Sequence, residues 1–153
     1  MTLSDPLVAS LKAVAAVMDG ARNPWWVIGS AAVALHGADA GPVADVDVLL
    51  SIDEAERLLP ALGIAVRRGS AHPDFRSRIF GHWTGAPLPI EFMAGFCHRS
   101  GAVSREVWPA TREPIGIDDV TVFVPGLTEL RRLLKDFGRP KDLARAAALR
   151  PTD

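Results

Sequence analysis

The sequence predicts a mixed α+β (mixed α/β) domain. Helix-like and strand-like apolar segments alternate over the first 60 residues, strand-like runs then predominate, and two helix-like segments follow from residue 127. The chain has 153 residues and contains neither a repeat nor a linker that would separate two domains. We therefore predict one domain over residues 1–153, with a core at about 25–125 and a helical tail at 126–150.

Cap and stop residues delimit the first predicted helices. A Ser-Asp-Pro start and a glycine stop mark a helix over residues 4–20. Gly29–Ser30 ends a buried strand at 25–28 and opens a second helix, for which the serine is the expected cap. Asp53 and Glu56 form a capping-box pattern at the start of a third helix, which a proline ends or kinks.

Strand-like runs fill most of the chain that follows. They lie at 45–50, 64–66, 76–83, 88–93 and 120–124. Gly138 ends a helix that begins near Leu127, and Pro140 suits the first turn of the last helix. This order of elements supports the predicted fold class.

Composition excludes several classes of protein. The net charge of −1 does not suit the broad basic face of a nonspecific nucleic-acid binder. A single cysteine, Cys97, excludes an internal disulfide and a multi-cysteine zinc site. No apolar run has the length of a membrane span, and the first residues lack a basic signal-peptide start. We therefore expect a cytoplasmic protein with no membrane partner.

Three acidic residues on predicted strands form the main candidate site. Side chains alternate along a strand, so Asp45 and Asp47 share one face, roughly 7 Å apart, where like charges repel each other. Glu91 lies in another apolar strand, where a buried carboxylate is unfavourable unless it is paired or metal-bound. Taken alone, Glu91 is equally consistent with a solvent-facing acid on an edge strand. Together the three carboxylates suit Mg²⁺, which prefers oxygen ligands.

Other residues are candidates for contacts with phosphate. Glycine at the Gly29–Ser30 turn lets a ligand approach the backbone, although the turn lacks the further glycines of a dinucleotide fingerprint and the lysine of a Walker loop. Arg76 and Arg78 are expected on one strand face, where a solvated face is an equally good interpretation. The basic residues Lys135, Arg139 and Lys141 in the tail are further candidates. His72 has a minor claim as an acceptor-site residue, and His36 is expected to bond to backbone at a helix end.

The combined pattern resembles a known family. Gly29–Ser30, the Asp45-x-Asp47 strand and the later strand acid Glu91 are similar to the motif set of the DNA polymerase beta-type nucleotidyltransferase superfamily. The tail around Gly138–Asp142 resembles that of small bacterial members, including antibiotic nucleotidyltransferases and members of toxin–antitoxin pairs. The resemblance covers roughly residues 25–149.

The resemblance implies a fold, a reaction and a set of ligands. The fold would be a mixed, mainly antiparallel sheet flanked by helices, and the reaction would transfer a nucleoside monophosphate from a triphosphate to a hydroxyl, with release of pyrophosphate. Asp45 and Asp47 would ligate two Mg²⁺ ions (or Mn²⁺), and Glu91 would complete the site of the ion that activates the acceptor. Gly29 and Ser30 would hold the outer phosphates. Lys135, Arg139 or Lys141 would add charge neutralisation, with no choice among them.

The residues just before the two aspartates depart from the family pattern. Small members often carry an arginine and a hydroxyl residue just before the aspartates, whereas this chain has Gly41-Pro42-Val43-Ala44. The alternative is therefore a noncatalytic binding module on the same fold, or half of a toxin–antitoxin pair. The acceptor would be a small molecule, an RNA or a protein, with a partner protein or a homodimer as the expected assembly. An unrelated enzyme that uses Glu91 and His72 is a third alternative.

Overall fold

The computed structural model describes residues 3–69 and 72–150, to which the structural statements below refer. Their helices are α1 (Asp5–Val17), α2 (Gly29–Leu35), α3 (Ile52–Ala61), α4 (Leu127–Phe137) and α5 (Pro140–Ala148). Their strands are β1 (Trp26–Ile28), β2 (Val46–Leu50), β3 (Val66–Arg68), β4 (Phe75–Arg76), β5 (Ile79–Trp83), β6 (Ile90–Ala94), β7 (Cys97–Ser100), β8 (Val103–Glu106), β9 (Glu113–Ile117) and β10 (Val120–Val124). The domain limits predicted at residues 1 and 153 lie outside the described residues.

A five-stranded sheet forms the centre of the structure, in the order β1-β2-β6-β5-β3. The β2–β6 pair is parallel, and the other pairs of this sheet are antiparallel. A β9–β10 hairpin and a three-stranded antiparallel sheet in the order β4-β7-β8 complete the strands. This mixed, mainly antiparallel arrangement with flanking helices confirms the predicted α+β class.

The two faces of the central sheet are packed differently. One face contributes Val46, Val48 and Phe92, all fully buried, to a large core that includes Leu11 and Val14 of α1. The opposite face contributes Trp26, Ile28, Leu49 and Met93 to a smaller apolar cluster, which Phe96 and Val107 complete from outside the sheet. Because side chains alternate along a strand, Asp47 projects from β2 on this second face. The candidate site therefore lies on the face with the smaller cluster.

Local signals in the sequence place several element ends correctly. The Ser4 hydroxyl accepts a hydrogen bond from the Leu7 N–H at 3.4 Å and caps α1. Gly138 ends α4 in the left-handed conformation, with φ at 74°, and α5 begins at Pro140. Strand β10 has the predicted bounds.

Two predicted caps are wrong. Ser51 caps α3, because its hydroxyl accepts the Glu54 N–H at 3.2 Å, so Asp53 and Glu56 do not form the expected capping box. Helix α2 begins at Gly29 with Ile28 as its N-cap, which places Ser30 in the first turn and not at the cap. In both cases the helix begins before the residue that was predicted to cap it: α2 begins at Gly29, before Ser30, and α3 begins at Ile52, before Asp53.

The predicted strand at 76–83 is two strands in different sheets. Strand β4 pairs with β7, whereas β5 pairs with β6 and β3. Arg76 belongs to β4, and Arg78 lies between the two strands with its side chain beside Gly95. The prediction that both arginines share one strand face is therefore wrong. The break occurs because the chain crosses from one sheet to the other at Ser77, which is buried.

No helix within residues 3–69 and 72–150 is both long enough and apolar enough to cross a lipid bilayer.

Candidate active site

Two neighbouring strands bring the three predicted acids together. Asp47 of β2 lies directly opposite Glu91 of β6 in the parallel register, and Asp45 precedes β2 by one residue. One carboxylate oxygen from each of the three residues lies within 4.8 Å of the other two. The structure thus gathers carboxylates that are separated by up to 46 positions in the sequence into one cluster.

The acidic cluster is electrostatically unfavourable without a counter-ion. Burial raises the pKa of Asp47 well above its usual value, and the nearby charges of Asp45 and Glu91 raise it further. A hydrogen bond between the side chains of Asp47 and Glu91 acts in the same direction, whereas the charge of Arg139 opposes the shift. A proton or a cation at this position would relieve the repulsion.

The turn between β1 and α2 packs directly against Asp47. Gly29 has a φ of +69°, and a β-carbon at this position would lie 2.9 Å from Asp47 Oδ2. Ser30, which is buried, follows it and, like the three acids, lines a cavity. The backbone can approach the acidic cluster only because residue 29 has no side chain.

A cavity of about 370 Å³ opens beside the acids. Its cationic lining residues are Arg139, Lys141 and Arg145, from the start and middle of α5. Its aromatic lining residues are Phe75, Phe80, Phe96 and Phe137, which we call the aromatic wall. The acids, a basic helix and an apolar wall therefore surround one space.

Arg139 is held firmly in this space by Asp142. Its Nε donates to Asp142 Oδ2 at 2.6 Å and its Nη2 donates to Asp142 Oδ1 at 3.1 Å. Asp142 is 1% exposed and also accepts the Arg139 backbone N–H at 3.3 Å. The guanidinium carbon lies 4.5 Å from the centre of the Phe75 ring. These contacts fix a positive charge close to Asp47.

Arg145 is a cavity residue that the sequence analysis missed. It lines the cavity and its Nε donates to the Ala40 carbonyl at 3.4 Å, so it reaches the loop that precedes β2. The missed signal is helical spacing, because Arg145 follows Lys141 by four residues and therefore shares its face of α5. Among the predicted basic residues of the tail, Arg139 and Lys141 line the cavity.

Three residues that were predicted to contact phosphate do not line the cavity beside the acids. Arg76, Arg78 and Lys135 are exposed and do not belong to the cavity lining. The strand break at residue 77 turns Arg76 into a different sheet, and Lys135 lies on the exposed side of α4, next to the buried Leu134. The structure does not bring these side chains to the candidate site.

The histidines occupy two different settings. His72 lines the cavity, and its Nδ1 accepts the backbone N–H groups of Asp74 and Phe75 at 3.0 and 3.2 Å. His36 bonds to the Pro125 carbonyl at 2.8 Å through Nε2, as expected for a residue at a helix end. Because Nδ1 of His72 accepts both bonds, the proton of the neutral ring is on Nε2.

Comparison with known proteins identifies the fold. No protein-family model and no curated protein matches the sequence. The candidate nucleotidyltransferase TM1012 of Thermotoga maritima has a similar crystal structure, with a TM-score of 0.70 over 88% of this chain and 86% of that chain at 19% identity. The likeness shows the nucleotidyltransferase fold.

A second protein supports the same assignment of fold. The solution structure of the antibiotic-resistance factor ANT(2'')-Ia matches over 96% of this chain and 84% of that chain, with a TM-score of 0.58 at 12% identity. The crystal structure of ANT(2'')-Ia in complex with adenylyl-2''-tobramycin has a TM-score of 0.50 at 11% identity, over 93% of this chain and 95% of that chain. The predicted nucleotidyltransferase fold is thereby confirmed.

Proposed function

We propose that this protein is a divalent-metal-dependent nucleotidyltransferase. It transfers a nucleoside monophosphate from a nucleoside triphosphate to a hydroxyl of an acceptor and releases pyrophosphate. The observation that carries the proposal is the cluster of Asp45, Asp47 and Glu91, whose oxygens lie within 4.8 Å of one another at the edge of a cavity. The fold is consistent with this reaction, since ANT(2'')-Ia shares it and has been solved with an adenylylated product.

The donor set of the acidic cluster suits Mg²⁺ or Mn²⁺. Oxygens around one octahedral Mg²⁺ are about 2.9 Å apart when adjacent and about 4.2 Å apart when opposite, since Mg–O distances are about 2.0–2.1 Å, so the three carboxylates would turn inward to share one ion. Asp45 and Asp47 would hold two ions, and Glu91 would add a ligand to one of them. When bound, the pair of ions stabilises the attacking and leaving oxygens. The raised pKa of Asp47 supports this fit, because burial and the charges of Asp45 and Glu91 all disfavour its anion, and a bound cation would stabilise that anion.

Residues around the acids would hold the triphosphate. Gly29 allows the outer phosphates to approach the backbone, and Ser30 adds a hydroxyl at the cavity edge. Arg139, Lys141 and Arg145 supply positive charge from α5. The segment at 41–44 has no basic residue, but Arg145 donates to the carbonyl of Ala40, which directly precedes it, and so places a charge beside the segment. This arrangement offsets the departure that favoured a noncatalytic module.

Calorimetry with Mg²⁺ and each of the four common nucleoside triphosphates tests the proposal. We expect the wild type to bind at least one of them and Asp47→Asn to bind it at least about tenfold more weakly. Even the loss of a residue that only orients a metal ligand lowers metal affinity by about that factor. Asp119→Asn is the matched control, because Asp119 is exposed and lines a different groove. Equal binding by wild type and Asp47→Asn, or no binding by either, would contradict the proposal.

Pyrophosphate release separates an enzyme from a binding module. A protein that binds Mg²⁺ and nucleotide through Asp47 and then releases pyrophosphate in the presence of a hydroxyl acceptor is the proposed transferase. Nucleotide binding without pyrophosphate release, whichever acceptor is added, would instead identify the noncatalytic alternative. The acceptor would be a small molecule, an RNA or a protein.

A further inference from the structure

We propose that the aromatic wall is an acceptor subsite for an uncharged, flat hydroxyl compound, that is, an aromatic or fused-ring alcohol or phenol. The inference rests on the proposed function and names the class of acceptor for the same site. It is carried by three observations: the position of the wall relative to Glu91, the arrangement of its rings, and the charges that line the cavity.

The wall lies on the side from which an acceptor must approach. Gly29 lies on the β1 side of Asp47, whereas Glu91 lies on the β6 side. In an in-line displacement the attacking oxygen enters opposite the leaving pyrophosphate. If the outer phosphates lie at Gly29, the acceptor hydroxyl therefore enters from the side of β6 and β5.

The apolar surface begins directly beside Glu91. Met93 follows Glu91 by two residues on β6 and so projects from the same face, and Phe80 of β5 lies opposite Met93. Both residues line the cavity. An acceptor whose hydroxyl is at Glu91 would consequently place the rest of its structure against Met93 and Phe80.

Three of the four rings of the wall, Phe75, Phe96 and Phe137, pack against one another. Phe75 and Phe96 are nearly parallel, with an interplanar angle of 8° and centroids 6.0 Å apart. Phe137 stands at 86° to Phe75, with centroids 5.2 Å apart. Phe75, Phe80 and Phe137 are half-buried and line the cavity, with the Arg139 guanidinium over the Phe75 ring and the Arg67 guanidinium over the Phe80 ring. Flat apolar groups pack on such rings by stacked or edge-to-face contacts.

The charges of the cavity do not suit a polycationic acceptor. Its acidic lining residues are Asp45, Asp47, Glu91 and Asp142. Both carboxylate oxygens of Asp142 are bonded to Arg139, and the other three acids are the proposed metal ligands. Among the described lining residues, no carboxylate is left to pair with amino groups, in contrast to what a polyamine such as tobramycin would need. An uncharged acceptor fits this balance.

The transfer step balances with these components. The acceptor oxygen forms a bond to the α-phosphorus, and the bond from that phosphorus to the bridging oxygen of pyrophosphate breaks. The electron pair of the broken bond leaves with pyrophosphate, and the hydroxyl proton passes to water.

Binding of 2-naphthol, a flat uncharged hydroxyl compound, tests the inference. Calorimetry is carried out with Mg²⁺ and the α,β-methylene analogue of the triphosphate that binds most tightly, with tobramycin and glucose as comparison ligands. We expect 2-naphthol to bind the wild type more tightly than either, and Phe80→Leu to weaken its binding by about threefold to tenfold, the range that one aromatic contact supplies. Phe137→Leu is the second variant, so that a folding defect in one does not decide the result.

Phe123→Leu is the matched control. Phe123, like Phe80, is a half-buried strand residue with an arginine over its ring, but it lines a different groove. The control and both wall variants should bind the nucleotide analogue as the wild type does. The inference is overturned if the wild type binds the nucleotide analogue but not 2-naphthol, or if it binds tobramycin more tightly than 2-naphthol. It is also overturned if the wall variants weaken binding of the nucleotide analogue instead of 2-naphthol, because the wall would then be a surface on which the nucleotide base stacks. Failure of the wild type to bind any nucleotide would overturn the proposed function as well.

Discussion

Gly29 is the residue that lets the backbone of the turn between β1 and α2 lie close to the acidic cluster. Its φ of +69° is one that other residues adopt only with strain, and its α-carbon leaves room for Asp47 Oδ2 where a β-carbon would be 2.9 Å away. Two separate constraints, one conformational and one steric, therefore act at the same position. They can be separated because other glycines of the chain carry only the first.

We expect Gly29→Ala to lower both stability and nucleotide binding. The left-handed conformation should cost about 1–2 kcal/mol of unfolding free energy, and the new methyl group should displace the Asp47 carboxylate. Urea unfolding measures the first effect, and calorimetry with Mg²⁺ and nucleotide measures the second.

Gly37→Ala is the control for this experiment. Gly37 has a φ of +80°, and a β-carbon there would meet no atom within 4 Å. It should lose a similar amount of stability and keep nucleotide binding. If both variants bound nucleotide equally well, the close approach of Gly29 to Asp47 would have no role in the site.

Hydrogen bonds to the Glu129 side chain join helix α4 to the segment before β9. The Glu129 carboxylate accepts the backbone N–H groups of Ala110 and Thr111 at 2.8 and 2.7 Å, and the Thr111 hydroxyl also donates to it. Burial alone would raise the pKa of Glu129, but the hydrogen bonds from Thr111 and Ala110 and the charge of Arg132 outweigh it and lower this pKa. The ionised form therefore stabilises the fold.

The lowered pKa predicts how the contribution of Glu129 depends on pH. Its stabilisation is present above the unfolded pKa of about 4.5 and is lost as pH falls through the lower folded value. Glu129→Gln should therefore lower the unfolding free energy at pH 7 by about 1–2 kcal/mol, and the difference should shrink below pH 4.5. Urea unfolding across this pH range is the measurement, with the exposed Glu106→Gln as control. A difference that stays constant with pH would contradict the assignment.

Elements with local signals could be predicted from the sequence, whereas those defined by distant pairing could not. Pro140 and Gly138 act through their own backbone restrictions, so the junction between α4 and α5 was predictable. The break between β4 and β5 depends on pairing with β7 and β6, which the residues at 76–83 do not encode by themselves. Strands β7, β8 and β9 were not defined in advance for the same reason.

The candidate site follows the same division. Alternation along one strand was enough to place Asp45 and Asp47 on one face. The basic side of the cavity was predicted only in part, because the position of α5 over the loop at Ala40 is a tertiary contact. Arg76 and Arg78 were misplaced by the undetected strand break, and Arg145 was missed although its spacing from Lys141 was visible.

At the scale of the whole molecule, the central sheet carries a large apolar core on one face and an acidic cluster with a small apolar cluster on the other. The first face supplies stability that does not depend on ligands. The second face places three carboxylates close together, so the folded state would offer the proposed cation site, which the unfolded chain lacks. Cation binding should consequently stabilise the whole fold.

Thermal unfolding with and without Mg²⁺ tests this coupling. At a free Mg²⁺ concentration about a hundredfold above its dissociation constant, linkage predicts about 2.7 kcal/mol of added stability. For a chain of this size that corresponds to a rise of about 5–10 °C in the midpoint of unfolding, reversible by a chelator. Asp47→Asn should abolish the rise, because it removes the ligand that lies between Asp45 and Glu91, whereas Asp119→Asn should retain it. An equal rise in Asp47→Asn and the wild type would place the Mg²⁺ that stabilises the protein elsewhere on the molecule.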